Sequence, residues 1–328
     1  MTTASPNAGT TKPAYHPELS SMRGVGAGWV YLSHLVQNPS VVAALGLGGA
    51  ALIVNDGWLG VALFLTLSIY LLVGKTGDLR HYFRRRMVRI WPAYFIAFVV
   101  TWYLIYGRSW SILIGGVTFS AFWLGTPAGY MYPFWTLQLE EVVYLIIPLI
   151  ALLSPTRQRW LSLGMIVGGE AFGIALIGHA VTWWSPLTLP VWLGVYGAGL
   201  LAYTTPLPRL GMFLPVVFVP AILPWIPWCV SLVPLALVFA SMLKNPPHFL
   251  THSPLVILGE LSYSIYLTQA VLLALFGVWS LLLILPVSFG LELLVRRGEL
   301  TKRLAGILKK SMSVSMKEKH RSLPEVTG

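Results

Sequence analysis

Two adjacent carboxylates at the head of an apolar run are the side chains in this sequence best placed to do chemistry. Residues 135–148 read Trp-Thr-Leu-Gln-Leu-Glu-Glu-Val-Val-Tyr-Leu-Ile-Ile-Pro, and the apolar run continues to Leu153. A charge held within a bilayer costs about 2.5 kcal/mol or more, so a carboxylate there is functional or paired. Glu140 and Tyr144 are four residues apart and share a helix face. Trp135 stands where an interfacial aromatic anchors a membrane helix. The segment therefore reads as a membrane helix carrying a polar site near its outer end. The plainer alternative is a structural ion pair or a carboxylate that reaches water.

Three other stretches carry candidate chemistry. Arg23 and His34 are eleven residues apart, which on a helix separates them by ~16 Å. Arg23 is expected near the inner surface and His34 in the outer half. Histidine is the natural general base near neutral pH, although a lone membrane histidine also serves as a packed, hydrogen-bonded core residue. Arg84-Arg85-Arg86-Met87-Val88-Arg89-Ile90-Trp91-Pro92-Ala93-Tyr94 places four arginines within six residues, at the mouth of an apolar segment. Arginines near a helix N-terminus suit phosphate binding through bidentate hydrogen bonds. The alternative is anchoring by positive charge alone, but this density exceeds what anchoring requires. Residues 258–269, Leu-Gly-Glu-Leu-Ser-Tyr-Ser-Ile-Tyr-Leu-Thr-Gln, repeat hydroxyls along one segment. They suit a polar cavity wall or, more simply, interhelical hydrogen bonds of about 0.6–2 kcal/mol each. Glu170, His179 and Glu292 are isolated polar points and read as structural. Cys229 is the only cysteine. It excludes an intrachain disulfide and argues against a thiol nucleophile. No ligand cluster has metal spacing, so no metal is expected.

The elements that hold these residues are membrane helices. Of 328 residues, 56% are hydrophobic and 10% charged, with mean hydropathy +0.74, whereas an average soluble chain is about a quarter charged. Runs long enough to span, or nearly so, occur near 22–37, 57–74, 90–106, 134–153, 160–180, 188–203, 209–224, 226–243, 254–274 and 276–295. The expected fold is all-α and polytopic, with about ten transmembrane helices and both termini in the cytoplasm. On that layout only Arg108 of the 22 Lys and Arg lies outside, as the positive-inside rule requires. Counting 109–126 as a full span would move Arg157 and Arg159 outside. That stretch is therefore expected to be re-entrant or interfacial, and 40–54 likewise. Residues 1–18 form a flexible cytoplasmic N-terminus without a signal-peptide pattern, 19–295 the transmembrane domain, and 296–328 a basic tail with helical spacing of leucines. The net charge of +11 sits in short loops and that tail, not in a folded basic patch, so nucleic acid is not an expected partner. The bilayer is. No inverted repeat of the transporter kind is present, and nothing sets an oligomeric state.

Taken together, these stretches resemble the acyltransferase-3 family of integral membrane acyltransferases. The opening motif resembles that family's Trp-Ser/Thr-Leu-x-x-Glu-x-x-x-Tyr signature at Trp135, Thr136, Leu137, Glu140 and Tyr144. Arg85-Arg86-x-x-Arg89-Ile90-x-Pro92-x-Tyr94 resembles its basic motif. Arg23 and His34 match its first-span Arg and His, and Ser262-Tyr263-x-x-Tyr266-Leu267 its late Ser-Tyr-x-x-Tyr-Leu motif. The order is also the family's, across residues 19–269. The sequence departs from the pattern at Ser20, where an acidic residue is usual. It departs again at Phe64-Leu65-Thr66-Leu67-Ser68-Ile69, a degraded Phe-Phe-x-x-Ser-Gly, and at Gln269, where a histidine often follows Tyr-Leu.

The resemblance implies transfer of an acyl group, most often acetyl, from cytoplasmic acyl-CoA to a hydroxyl. The acceptor is expected to be a sugar of a cell-surface glycan or a lipid-linked precursor, in the inner (cytoplasmic) membrane. No cofactor is permanently bound; acyl-CoA is the donor substrate. On this reading Arg85, Arg86 and Arg89 hold the CoA phosphates, and Arg23 adds to that cluster or orients the thioester. His34 is the general base, and Glu140 orients it or stabilises its charged form. Trp135, Tyr144, Tyr263 and Tyr266 contact substrate, the tyrosines as wall residues or oxyanion donors. The alternative is a transporter or flippase that moves a glycan precursor without acyl chemistry.

Overall fold

The computed structural model describes residues 16–47, 57–120, 123, 133–181, 185–209, 227–244, 246–296 and 306. Among them the regular structure is helix, with no strand. In chain order the α-helices are α1 (Pro17–Val36), α2 (Pro39–Leu45), α3 (Trp58–Leu72), α4 (Leu79–Leu104), α5 (Trp110–Val117) and α6 (Trp135–Ala151). They continue with α7 (Pro155–Ala175), α8 (Leu189–Thr204), α9 (Trp228–Met242), α10 (Ser253–Phe276) and α11 (Ser280–Arg296). A 3-10 turn, Val73–Lys75, continues α3.

Four helical stretches among the described residues are long and apolar enough to cross a bilayer: Trp58–Lys75, Leu79–Leu104, Pro186–Thr204 and Pro254–Val295. The chain is a membrane protein whose described residues are helical. The last stretch is α10 and α11 folded back on each other at Gly277, whose φ of +52° suits a residue without a Cβ. Hydrogen bonds from Ser264 to Glu292 at 2.6 Å and between Thr268 and Ser288 at 3.1 Å fix the two as an antiparallel pair. Helices α1, of 20 residues, and α7, of 21, reach spanning length but carry more polar side chains. The expected 209–224 span, apart from Arg209, the N-terminal arm before His16 and the basic tail beyond Arg296, apart from Gly306, lie outside the described residues.

The two ambiguous stretches contain short helices. α2 covers Pro39–Leu45, and residues 48–54 of its stretch lie outside the described set. α5 has eight residues, hence ~12 Å of length against a hydrocarbon core of about 30 Å. It docks on α4 through aromatic packing. Tyr94 stacks on Phe98 at 5.6 Å and on Phe119 at 4.7 Å, meets Phe134 edge-on, and donates its hydroxyl to the Gly116 carbonyl at 2.9 Å.

The third expected span starts earlier than its hydropathy suggests. α4 begins at Leu79, where the Asp78 side chain accepts from the His81 amide at 3.1 Å and caps the helix. The arginines therefore sit one to three turns inside a helix, and the expected role for a helix N-terminus in phosphate binding is withdrawn. Arginine is a good helix former, so an arginine-rich turn extends a span instead of preceding it.

Two contacts fix the helices around the site. α3 is central and packs against α1, α6, α8 and α9. α1 and α10 run side by side and parallel, with glycines facing: a Cβ at Gly24 would lie 2.6 Å from the Gly259 nitrogen, and one at Gly259 would overlap the Ser20 carbonyl. Small residues that let backbones approach are the usual device for helix association in a bilayer. The second contact compensates a proline. Pro148 lies inside α6 and has no N–H for the Tyr144 carbonyl four residues back. The buried Tyr82 hydroxyl, from α4, donates to that carbonyl at 3.1 Å.

That tie is testable. Tyr82→Phe should destabilise the protein by about 1–3 kcal/mol, the cost of an unsatisfied buried carbonyl. In a Pro148→Ala background, which restores an N–H, the same change should cost clearly less. Thermal unfolding of the four proteins in detergent, analysed as a double-mutant cycle, measures this, and equal costs in both backgrounds would refute it.

Candidate active site

The helices enclose a cavity of about 110 Å³ between α1, α3, α4, α6 and α10. Its apolar wall includes Val61, Phe64, Leu65, Leu67 and Leu71, and its charged wall is Arg23, Lys75, Arg86, Arg89 and Glu140. Ser68, Thr136, Tyr144, Tyr263 and Tyr266 complete the polar surface. Among the described residues, four basic side chains thus share the cavity with one carboxylate.

Each charged residue arrives from a different element. Arg23 lies on the second turn of α1, Lys75 ends the 3-10 turn after α3, and Arg86 and Arg89 share a face of α4. Glu140 is on the second turn of α6. Its Oε2 accepts from the Tyr144 hydroxyl at 2.6 Å and its Oε1 from Ser68 at 3.4 Å. The Arg23 and Arg86 charges also act on it. The positive charges of Arg23, Arg85, Arg86 and Arg89 all act on Lys75. The neighbouring Glu141 turns elsewhere and accepts from the Trp91 indole at 3.2 Å.

The tyrosines line the cavity, but all three hydroxyl protons are already engaged, that of Tyr144 by Glu140. Tyr263 donates to the Ile90 carbonyl at 2.9 Å. Tyr266 donates to the Pro133 carbonyl at 2.7 Å, which leaves its oxygen to accept from Thr136 at 2.7 Å. As wall residues they stand where the sequence put them. As oxyanion donors they would first have to break these bonds.

His34 is elsewhere. It is 6% exposed and lines a second pocket, of about 480 Å³, with Gln37, Asn38, Pro39, Ile105, Tyr106, Ala270, Leu273 and Ala274. Its Nδ1 pairs with the Gln269 side-chain oxygen at 3.2 Å. The expected approach of Glu140 to His34 is therefore corrected. Eleven residues of helix put ~16 Å of rise between Arg23 and His34, and Glu140 lies at the Arg23 level of that axis.

Two further placements differ from expectation. Trp135 faces another helix and is not part of either pocket wall. It is 2% exposed and packs against Trp192 of α8, with ring centroids 5.6 Å apart. A large aromatic ring on the inner face of α6 is better buried against a neighbouring helix than left at the membrane surface. Arg85 is exposed and off the cavity wall; it donates to the Lys75 carbonyl at 3.4 Å. Sequence reasoning gives no site role to Lys75, Ser68, Thr136 or Gln269. The last three stand inside or beside the motif runs, and their signal was there to be used. Lys75 was counted only as an orienting charge, and its sequence position alone does not place it with Arg23. Among the described residues no three of His, Cys, Asp and Glu converge as a metal site.

The structure is a membrane helix bundle with a cation-lined cavity at one level and a buried histidine at another. Residues 16–295 match the acyltransferase-3 profile, an acyltransferase domain, and the chain belongs to the acyltransferase-3 family. It is similar to ORF330 of Acidianus two-tailed virus, which carries an acetyltransferase name, with 31% identity over 323 residues, covering 90% of this chain and 94% of that one. It is also similar to the acyltransferase MdmB of Streptomyces mycarofaciens, with 28% identity over 163 residues, 44% of this chain and 42% of the relative. No solved structure matches. The enzyme is an acyltransferase of O-acetyltransferase-like type.

The burial of Trp135 separates a core role from a substrate contact. Trp135→Ala should lower stability by about 3–5 kcal/mol. Trp135→Phe should keep most of the stability and leave the KM for both substrates within about twofold. A large rise in KM with unchanged thermal stability in Trp135→Phe would restore it as a substrate contact.

Proposed function

We propose that the enzyme moves an acetyl group from cytoplasmic acetyl-CoA to a hydroxyl of a sugar on a cell-surface glycan or a lipid-linked precursor. The observation that carries this reading is the convergence of four basic side chains, Arg23, Lys75, Arg86 and Arg89, on one cavity wall. A polyanion with an apolar arm is the ligand such a wall suits. Guanidinium groups bind phosphate bidentately, and the aliphatic side chains of α3 suit the arm. The cation-lined end faces the cytoplasm in a ten-span arrangement of the cytoplasmic membrane with both termini inside, the arrangement that charge placement favours.

The reaction assigned to the site is a direct acyl transfer. Arg86, Arg89 and Lys75 hold the donor's phosphates, with Arg85 steadying Lys75 from behind. The thioester end extends along the face of α1 from Arg23 towards His34. Glu140 is a positioning residue: it holds Arg23 and Arg86 by charge and Tyr144 by hydrogen bond. The acceptor enters the pocket of His34, Gln37 and Asn38. His34 removes the acceptor hydroxyl proton as the oxygen attacks the thioester carbonyl carbon; the C–O bond forms, the C–S bond breaks, and the coenzyme A thiolate leaves and takes up a proton. General-base assistance of this kind contributes about 10²–10⁴-fold.

Coenzyme A release from acetyl-CoA by purified protein, with and without membrane glycan extract, tests the reading. His34→Ala should lower kcat by at least about 100-fold. Arg86→Ala and Arg89→Ala should chiefly raise the KM for acetyl-CoA by about 10–100-fold, the loss of a charged hydrogen bond. Wild-type rates in a stably folded His34→Ala protein would remove His34 as the base. Absence of turnover with any acyl-CoA and any glycan fraction would remove the donor and acceptor assignments.

A further inference from the structure

Gln269, two positions past the late Tyr266-Leu267 pair, is joined to His34. Gln269 is fully buried on α10, one turn beyond the cavity-wall residue Tyr266. Its amide nitrogen donates to the Tyr266 carbonyl at 3.0 Å. A carbonyl oxygen only accepts, so this bond fixes which end of the amide is nitrogen. The Gln269 oxygen is then the atom that faces His34 Nδ1 at 3.2 Å. An amide oxygen also only accepts, so Nδ1 must be the donor. A neutral imidazole carries one proton; with it on Nδ1, Nε2 keeps its lone pair.

We infer that Gln269 is a positioning residue for the acyl transfer: through its Tyr266-anchored amide it holds His34 in the Nδ1–H tautomer, with Nε2 directed to act as the base. Its catalytic consequence rests on the reading of His34 as the general base; the tautomer itself does not. The chain of contacts is Tyr266 carbonyl, Gln269 amide, His34 ring. It links the wall of the cationic cavity to the pocket that holds His34, so one residue of α10 sets both the ring angle and its proton.

The test uses the full-length protein in detergent micelles with ¹⁵N-labelled histidine. The His34 signals are assigned by their loss in His34→Ala. The wild type should show a neutral ring protonated on Nδ1. Gln269→Leu, similar in size but without the amide, should lose that single tautomer and lower kcat by about 100-fold, with the KM for acetyl-CoA unchanged. Gln269→Glu keeps an acceptor for Nδ1–H and should restore both the tautomer and at least a tenth of wild-type kcat. A wild-type ring protonated on Nε2, or on both nitrogens, overturns the inference whatever the variants do. So does a Gln269→Leu protein that keeps the Nδ1–H signal and wild-type kcat. Should Gln269→Leu not fold, the wild-type spectrum and the Gln269→Glu comparison decide. If His34→Ala stays active while the wild-type tautomer is as stated, the base assignment has failed and the positioning of the ring has not.

Discussion

The close approach of α1 to α10 is the constraint on which the site depends. Facing glycines, Gly24 and Gly259, bring two parallel backbones together where any Cβ would collide. The hydrogen bond from Ser20 to the buried Glu260 at 3.1 Å closes one end of the seam, and that between His34 and Gln269 lies further along it. With the register set there, Arg23 falls beside the cationic cavity and His34 beside Gln269. Shifting the two helices by one residue would turn Tyr263, Tyr266 and Gln269 by about 100° on the α10 surface and dissolve both arrangements. In a bilayer, where helix association lacks a hydrophobic driving force, such a register rests on packing and on the polar pairs that packing permits.

Other polar contacts have the same character: each answers a local defect in the backbone or a charge in an apolar setting. Pro148 frees a carbonyl in α6, and Tyr82 answers it from α4. Thr66 and Thr101 bond the carbonyls of Ala62 and Ala97 one turn back at 2.8 and 2.6 Å, so that buried hydroxyls need no partner from another helix. The Tyr266 hydroxyl ties α10 to the start of α6 through Pro133 and Thr136. The last of these ties lies on the cavity wall, where both Tyr266 and Thr136 stand.

Much of this was legible in the sequence, and the reasons for the misses are physical. Helix class and membrane character follow from composition and run length. Arg23, Arg86, Arg89, Glu140, Tyr144, Tyr263 and Tyr266 were all named from residue type and spacing, and all line one cavity. The pairing of Glu140 with His34 was not legible, because distance along one helix says nothing about the level at which a second helix meets it. Trp135 misled because an aromatic at the end of an apolar run has the same sequence pattern whether it faces a headgroup layer or another helix. Lys75 was passed over because a charge at the end of a span reads as an anchor; only the fold sets it against Arg23 and Arg86. Gln269 was read as a lost histidine, since a sequence shows which side chain is missing and not which bond the replacement can make.

The charge balance of the cavity carries the argument one step further. Four cations and one carboxylate line a space walled largely by leucine, valine and phenylalanine. Like charges in a poorly solvated setting repel one another, and the cost grows as water is excluded. A cavity selected for stability alone would balance its charges or replace them with apolar side chains, which is often neutral or stabilising. Glu140 is fixed to Tyr144 and Ser68, so it does not swing across to serve each cation in turn. On the proposed reaction these cations are complementary to the phosphates of the donor that enters. On the proposed reaction, the position of the cations, about three turns from His34 along α1, separates two tasks that one small cavity could not perform together. Holding a polyanion requires cations at close range, whereas a histidine acting as base works best away from them, since a neighbouring positive charge disfavours the protonated ring. Placing both on one face of α1 would then meet the two demands with a single helix.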